Sequence, residues 1–117
     1  EMLKHCRTAM EVPLGKVELK PNFFFKLLFG KMIKKKVTDD SEYKPGSPTA
    51  PEFITNDKSL NFESEKEKFI KTVDEFVSLE DSVLNETRHK LFGDMTSDEW
   101  RISQWKHLRH HWNQFGI

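Results

Sequence analysis

Apolar residues recur at helical spacing in several stretches of this 117-residue chain, and prolines and glycines divide those stretches. A helix with an apolar stripe must bury it against another element, so the pattern restricts the fold to an all-α bundle. Residues 1–10 place Met2, Leu3, Cys6, Ala9 and Met10 on one arc at about 100° per residue, with His5 at its edge. Pro13 and Gly15 close that helix. A second helix is expected from about residue 22 to 36, apolar nearly all round at its front (Phe23, Phe24, Phe25, Leu27, Leu28, Phe29), which reads as core or subunit interface. Residues 37–60 hold Pro45, Gly46, Pro48 and Pro51 and read as a long loop, of the kind that carries function or wraps a surface. A third helix follows Asn61, an expected N-cap, with Phe62, Phe69, Ile70, Val73, Phe76 and Val77 facing inward. After a connection over 80–95, Thr96-Ser97-Asp98-Glu99 forms a capping box that opens a last helix running to about Gln114, with Gly116 beyond it.

The first helix opens at Glu1 without a cap and with an apolar stripe in search of a partner. Two expectations follow: a preceding helix missing from this chain, in a segment of roughly 20–40 residues, or a second subunit that supplies the packing surface. Length and mass suit a single domain over residues 1–117. One cysteine excludes a disulfide framework and a Cys-rich zinc site. No apolar run approaches the roughly 20 residues of a membrane span, and no signal peptide is visible, so a soluble, cytoplasmic protein is expected. Lysine and arginine number 19, as do aspartate and glutamate. Residues 1–36 nonetheless carry nine basic and three acidic side chains, and the remainder carry ten and sixteen. Lys31, Lys34, Lys35 and Lys36 make only a weak basic patch without a nucleic-acid reader motif, so neither nucleic acid nor membrane is an expected partner.

The histidines hold the chemistry. With Trp100 at zero on the last helix, His107 and His111 fall at about 340° and 20°, and His110 at about 280°, further towards solvent. On spacing alone a His-x-x-x-His pair reads first as ordinary core-edge histidines. Two imidazoles one turn apart can also share one cation, and His5, beside its own apolar stripe, is the candidate third ligand. Three protein ligands leave positions open, the pattern of a catalytic rather than a structural metal. A metalloprotease motif is excluded, because Leu108 and Arg109 follow His107 where such a motif needs an acid. Cys6 reads as a small buried hydrophobe, His89 as a turn anchor, and Trp105 and Trp112 as packing residues. Gln104 and Gln114 are candidate supports of the ligands or contacts to substrate, or else solvated helix residues.

The stretch LFGDMTSDEWRISQWKHLRHHWNQFGI at residues 91–117 resembles the end of the DinB/YfiT-like superfamily, in a branch of small uncharacterised bacterial proteins. EMLKHC at residues 1–6 resembles the second helix of that family, and GSPTAPEF its Pro-rich connection. The resemblance implies an up-down-down-up four-helix bundle whose first helix is missing from this chain. It also implies a divalent metal cation (Zn, Ni, Fe or Mn) held by His5, His107 and His111. Three imidazoles do not select among these metals. Relatives use such a metal to activate a low-molecular-weight thiol, which implies a thiol or other small-molecule substrate and a metal-dependent transferase or hydrolase. The alternative is a non-enzymatic bundle with a vestigial site, acting in dimerisation or partner binding through residues 23–29. A homodimer is the expected assembly.

Overall fold

The computed structural model describes residues 1–116. Five α-helices and one 3-10 turn follow in chain order: α1 (Met2–Glu11), α2 (Phe23–Thr38), the 3-10 turn Pro51–Phe53, α3 (Phe62–Val77), α4 (Asp81–Glu86) and α5 (Ser97–Gln114). There is no strand among the described residues, so the all-α class holds. No described helix is long and apolar enough to cross a membrane.

The helix starts follow from their caps. The Asn22 side chain accepts from the Phe24 and Phe25 N–H groups, and that of Asn61 from Ser64 N–H. Thr96 and Glu99 complete the capping box in both directions, at 3.1 and 3.0 Å. Each device satisfies orphan N–H groups at a helix start. Gly15 ends the turn after α1 at φ +73°, a backbone region that glycine enters without a Cβ penalty.

The core is a single cluster of Cys6, Met10, Phe69, Phe76, Leu84, Met95, Trp100 and Leu108. Trp100 is 1% exposed and donates its indole N–H to the Thr87 carbonyl at 3.0 Å, so its one polar atom is satisfied inside. Within this arrangement α1 is the hub: it packs on α3, on α5 and on the 3-10 turn. The inward residues of α1 are Cys6, Ala9 and Met10, as the periodicity predicts.

The face of α3 differs from the expected one. Phe69 and Phe76 are buried, but the other two buried positions are Glu65 and Thr72, while Phe62, Ile70 and Val77 stand exposed. The reason is an ion pair that joins α1 to α3. Arg7 meets Glu65 at 3.1 Å and Glu11 at 2.7 Å, and both partners of the Arg7–Glu65 pair are largely shielded from solvent. Burial pushes the Glu65 carboxyl up, but hydrogen bonds from Lys68 and Arg7 outweigh it and hold the group below its usual value. Thr72 turns its hydroxyl back onto the Lys68 carbonyl and so buries no free donor.

α2 is the larger departure. Residues 23–29 are not core: Phe23, Phe24, Leu27 and Leu28 are 68–70% exposed. Among the helices α2 packs on α5 alone, and Gly30 is its one buried residue. Gly30 approaches the Leu91 carbonyl, Lys34 pairs with Glu99 at 3.2 Å and donates to the Asp94 carbonyl at 2.8 Å, and Lys106 closes the far end. The Lys106 ammonium caps α2 at the Lys36 carbonyl, pairs with Asp39 at 2.9 Å and lies over the Tyr43 ring at 4.9 Å. A helix apolar all round cannot be satisfied by one neighbour, and so its front remains open. Trp105, expected to pack, is 58% exposed, whereas Trp112 does pack against the core.

Gly30 gives the contact between α2 and the 87–95 connection a direct test. A Cβ there would lie 2.7 Å from the Leu91 carbonyl oxygen, a backbone atom with little freedom to move. Alanine in a helix is worth about 1 kcal/mol over glycine, but the clash outweighs that gain. Gly30→Ala is expected to lower stability by about 1–3 kcal/mol in urea titration. A stabilised variant would show that α2 does not rest on residue 91.

Candidate metal centre

His5 comes from the half-buried edge of α1, and His107 and His111 stand one turn apart on α5. Packing of α1 on α5 brings the three rings together, with centroids 4.7–4.9 Å apart. The His107 Nε2 atom lies 2.9 Å from His5 Nε2 and 3.2 Å from His111 Nε2. The three ligand atoms are all within 4.8 Å of one another, and this trio is the one group of three or more metal-ligating side chains found among the described residues.

The second nitrogen of two rings is committed elsewhere. His5 Nδ1–H donates to the Phe53 carbonyl at 3.1 Å, and His111 Nδ1–H donates to Gln114 Oε1 at 3.0 Å. These acceptors assign the tautomers and leave a lone pair on Nε2 of both rings. His107 therefore sits between two lone pairs, and its own Nε2–H can satisfy only one of them well. The same three nitrogens suit a divalent cation. Metal–nitrogen bonds of about 2.0–2.1 Å at angles of 90–109° separate two ligand nitrogens by roughly 2.9–3.3 Å, the range occupied by the two short contacts here.

Electrostatics favour neutral rings. Burial, with the neighbouring His5, His111 and His110 adding to it, pushes the His107 imidazole down to about 3. His111 is also lowered, by burial first and then by His5. An open pocket of about 250 Å³ adjoins the cluster, lined by Met2, His5, Phe53, Ile54, Thr55 and His111 among others. Thr55 brings a shielded hydroxyl without a hydrogen-bond partner into that lining.

The other expected residues distribute as follows. Gln114 supports His111, whereas Gln104 lies away from the cluster and donates to the Ala9 carbonyl at 3.3 Å. His110 faces Tyr43, with ring centroids 5.5 Å apart. His89 is a turn anchor: its Nδ1 accepts from the Leu91 and Phe92 N–H groups, both at 3.1 Å, and its ring stacks on Phe92. Cys6 is fully buried, and desolvation pushes its thiol up to about 12, so it is no nucleophile at neutral pH. Sequence reasoning missed Phe53 and Thr55. Their signal was the length of the 37–60 loop, which suggested function without singling out a residue. The 3-10 turn holding Phe53 is tied down by Glu52, which accepts from Lys20 N–H at 2.9 Å.

Over residues 1–116 the chain matches the family described as protein of unknown function (DUF1569), and it belongs to that family. Comparison with curated proteins and with solved structures gives no match.

One buried and one half-buried imidazole, His89 and His107, set an acid limit on stability. Burial, then the charge of Lys26, pushes His89 down to about 4, and His107 lies at about 3, against 6.5 for a free imidazole. The unfolded chain thus binds more protons than the folded one below 6.5. Stability is complete above that pH and is lost as pH falls towards 4 and then 3. For His89 alone the full loss is about 3 kcal/mol. Urea titrations of the metal-free protein should show a fall already between pH 7 and 5, before carboxylates titrate, and a flat profile there would contradict buried neutral rings.

Proposed function

We propose that this chain is a DinB-like, divalent-metal-binding protein in which His5, His107 and His111 hold one cation, and that the site serves a metal-dependent transferase or hydrolase. The observation that carries the reading is the convergence of three Nε2 atoms, two of them with Nδ1 already committed to a fixed acceptor. Metal-ligating histidines are oriented in this way by acceptors behind the ring. The order of ligands, one on the first helix of the chain and an i, i+4 pair on the last, agrees with the resemblance drawn from the motifs at both ends. The cation is Zn, Ni, Fe or Mn, since imidazoles suit several first-row metals.

A divalent cation bound by three imidazoles supplies open coordination positions and lowers the pKa of a thiol or water that binds there. The residues of the chain do the rest. Phe53 and Gln114 hold the His5 and His111 rings in register. Met2, Phe53 and Ile54 wall the pocket with apolar surface, and Thr55 adds a polar residue whose hydroxyl is shielded and unpartnered. The pocket suits a small substrate with an apolar body and few polar groups.

Protein purified without a nickel column should carry close to one divalent cation per chain by elemental analysis. His5→Ala and His111→Ala should lose it, and His110→Ala should keep it. Gln114→Ala should weaken binding by roughly 10–100-fold, the usual cost of losing an acceptor behind a ligand. Affinity should fall as pH drops below about 6.5 and the ligand imidazoles take up protons, His107 and His111 resisting protonation more than a free imidazole. Absence of metal, together with a melting temperature indifferent to chelator and to added Zn, would overturn the assignment.

A further inference from the structure

We infer that the open front of α2 is the interface of a two-fold homodimer, in which the helix pairs antiparallel with its own copy about Leu28. Seven large side chains in its first ten residues (Phe23, Phe24, Phe25, Leu27, Leu28, Phe29 and Met32) are 40–70% exposed. At the roughly 150–250 Å² that an aromatic side chain can bury, they leave on the order of 700 Å² open. That exceeds the roughly 300–600 Å² of the largest patch on an ordinary monomer. It approaches the roughly 800 Å² that each partner contributes to a standard interface.

The distribution of charge decides which partner fits. α2 carries no acidic residue; three of its five lysines, Lys34, Lys35 and Lys36, gather at the far end, while Lys26 and Lys31 lie among the apolar residues of the near end. Phe24, Leu28 and Met32 lie at i, i+4 and i+8, a single stripe down the middle of the outward arc. Antiparallel pairing centred on Leu28 sets Phe24 of one copy beside Met32 of the other and superposes the two apolar halves. At 1.5 Å per residue the two Lys35 positions then stand about 21 Å apart, beyond the roughly 8–10 Å reach of charge at physiological salt; the two Lys31 positions stand about 9 Å apart, on the flank of the stripe, where their stems carry the ammonium groups out to water. Parallel pairing would instead set lysine against lysine. A membrane surface fits less well. At about 100° per residue, Lys31, Lys35 and Lys36 lie within the same outward arc as the phenylalanines and leucines. A helix resting flat on lipid needs its basic residues on the opposite side from its apolar ones. An isologous contact also requires only one self-complementary patch, which is what α2 presents.

The interface is independent of the metal reading, and the test is run in chelator so that histidines cannot bridge copies. Analytical ultracentrifugation from about 1 to 100 μM should show a monomer–dimer equilibrium with the dimer dominant at the upper end. Leu28→Lys, at an exposed position that leaves the melting curve unchanged, should weaken association by roughly 100-fold. Because Cys6 is buried, a cysteine introduced by Leu28→Cys should form an intermolecular disulfide on mild oxidation, while Glu67→Cys on the exposed side of α3 should not. A wild-type chain that stays monomeric at 100 μM would overturn the proposal, whether or not it sediments with vesicles containing phosphatidylserine. So would a dimer indifferent to Leu28→Lys.

Discussion

The packing of α1 against α5 is the contact on which everything else depends. It brings Cys6 and Met10 against Trp100 and Leu108 in the core, and the same register places His5 opposite His107. Gln104 reinforces it one turn away through the Ala9 carbonyl. The apolar stripe and the histidine edge of α1 are a single surface divided by about one residue of helical rotation. Small changes in how α1 sits would therefore cost both core packing and ring convergence. The Arg7–Glu65 pair holds α1 from its other side, on α3.

The imidazole cluster is strained in an instructive way. Three nitrogens meet within hydrogen-bond distance, yet two have already given their proton to the opposite ring atom, facing Phe53 and Gln114. A buried site that depresses protonation and leaves lone pairs facing inward is poorly satisfied by protein atoms alone. The proposed cation would resolve it. His89 shows the contrast: it too is buried and neutral, but both backbone N–H donors that meet its Nδ1 belong to its own turn, which it anchors.

α2 shows what happens when apolar content exceeds the partners available within a chain. Its C-terminal half is fastened by Lys34, Lys106 and the close approach at Gly30, and its N-terminal half is held by its Asn22 cap. An all-round apolar helix is legible as such in sequence, but the identity of what covers it is not.

The residues alone determined where α2, α3 and α5 begin, because capping is local: Asn22, Asn61 and the Thr96–Glu99 box each act within three residues of themselves. They also determined that His107 and His111 share a face, since helical spacing suffices for that. The inward side of α3 was decided only in three dimensions. A buried Arg7–Glu65 pair, 58 residues apart, made a charged position more interior than Ile70 or Val77. Tertiary structure likewise decided the exposure of α2 and supplied Phe53, whose role rests on a backbone carbonyl that no side-chain pattern announces. Convergence of His5 on the other two rings joined the two levels. The periodicity placed each histidine at the edge of an apolar stripe, and only the packing of α1 on α5 brought those edges together.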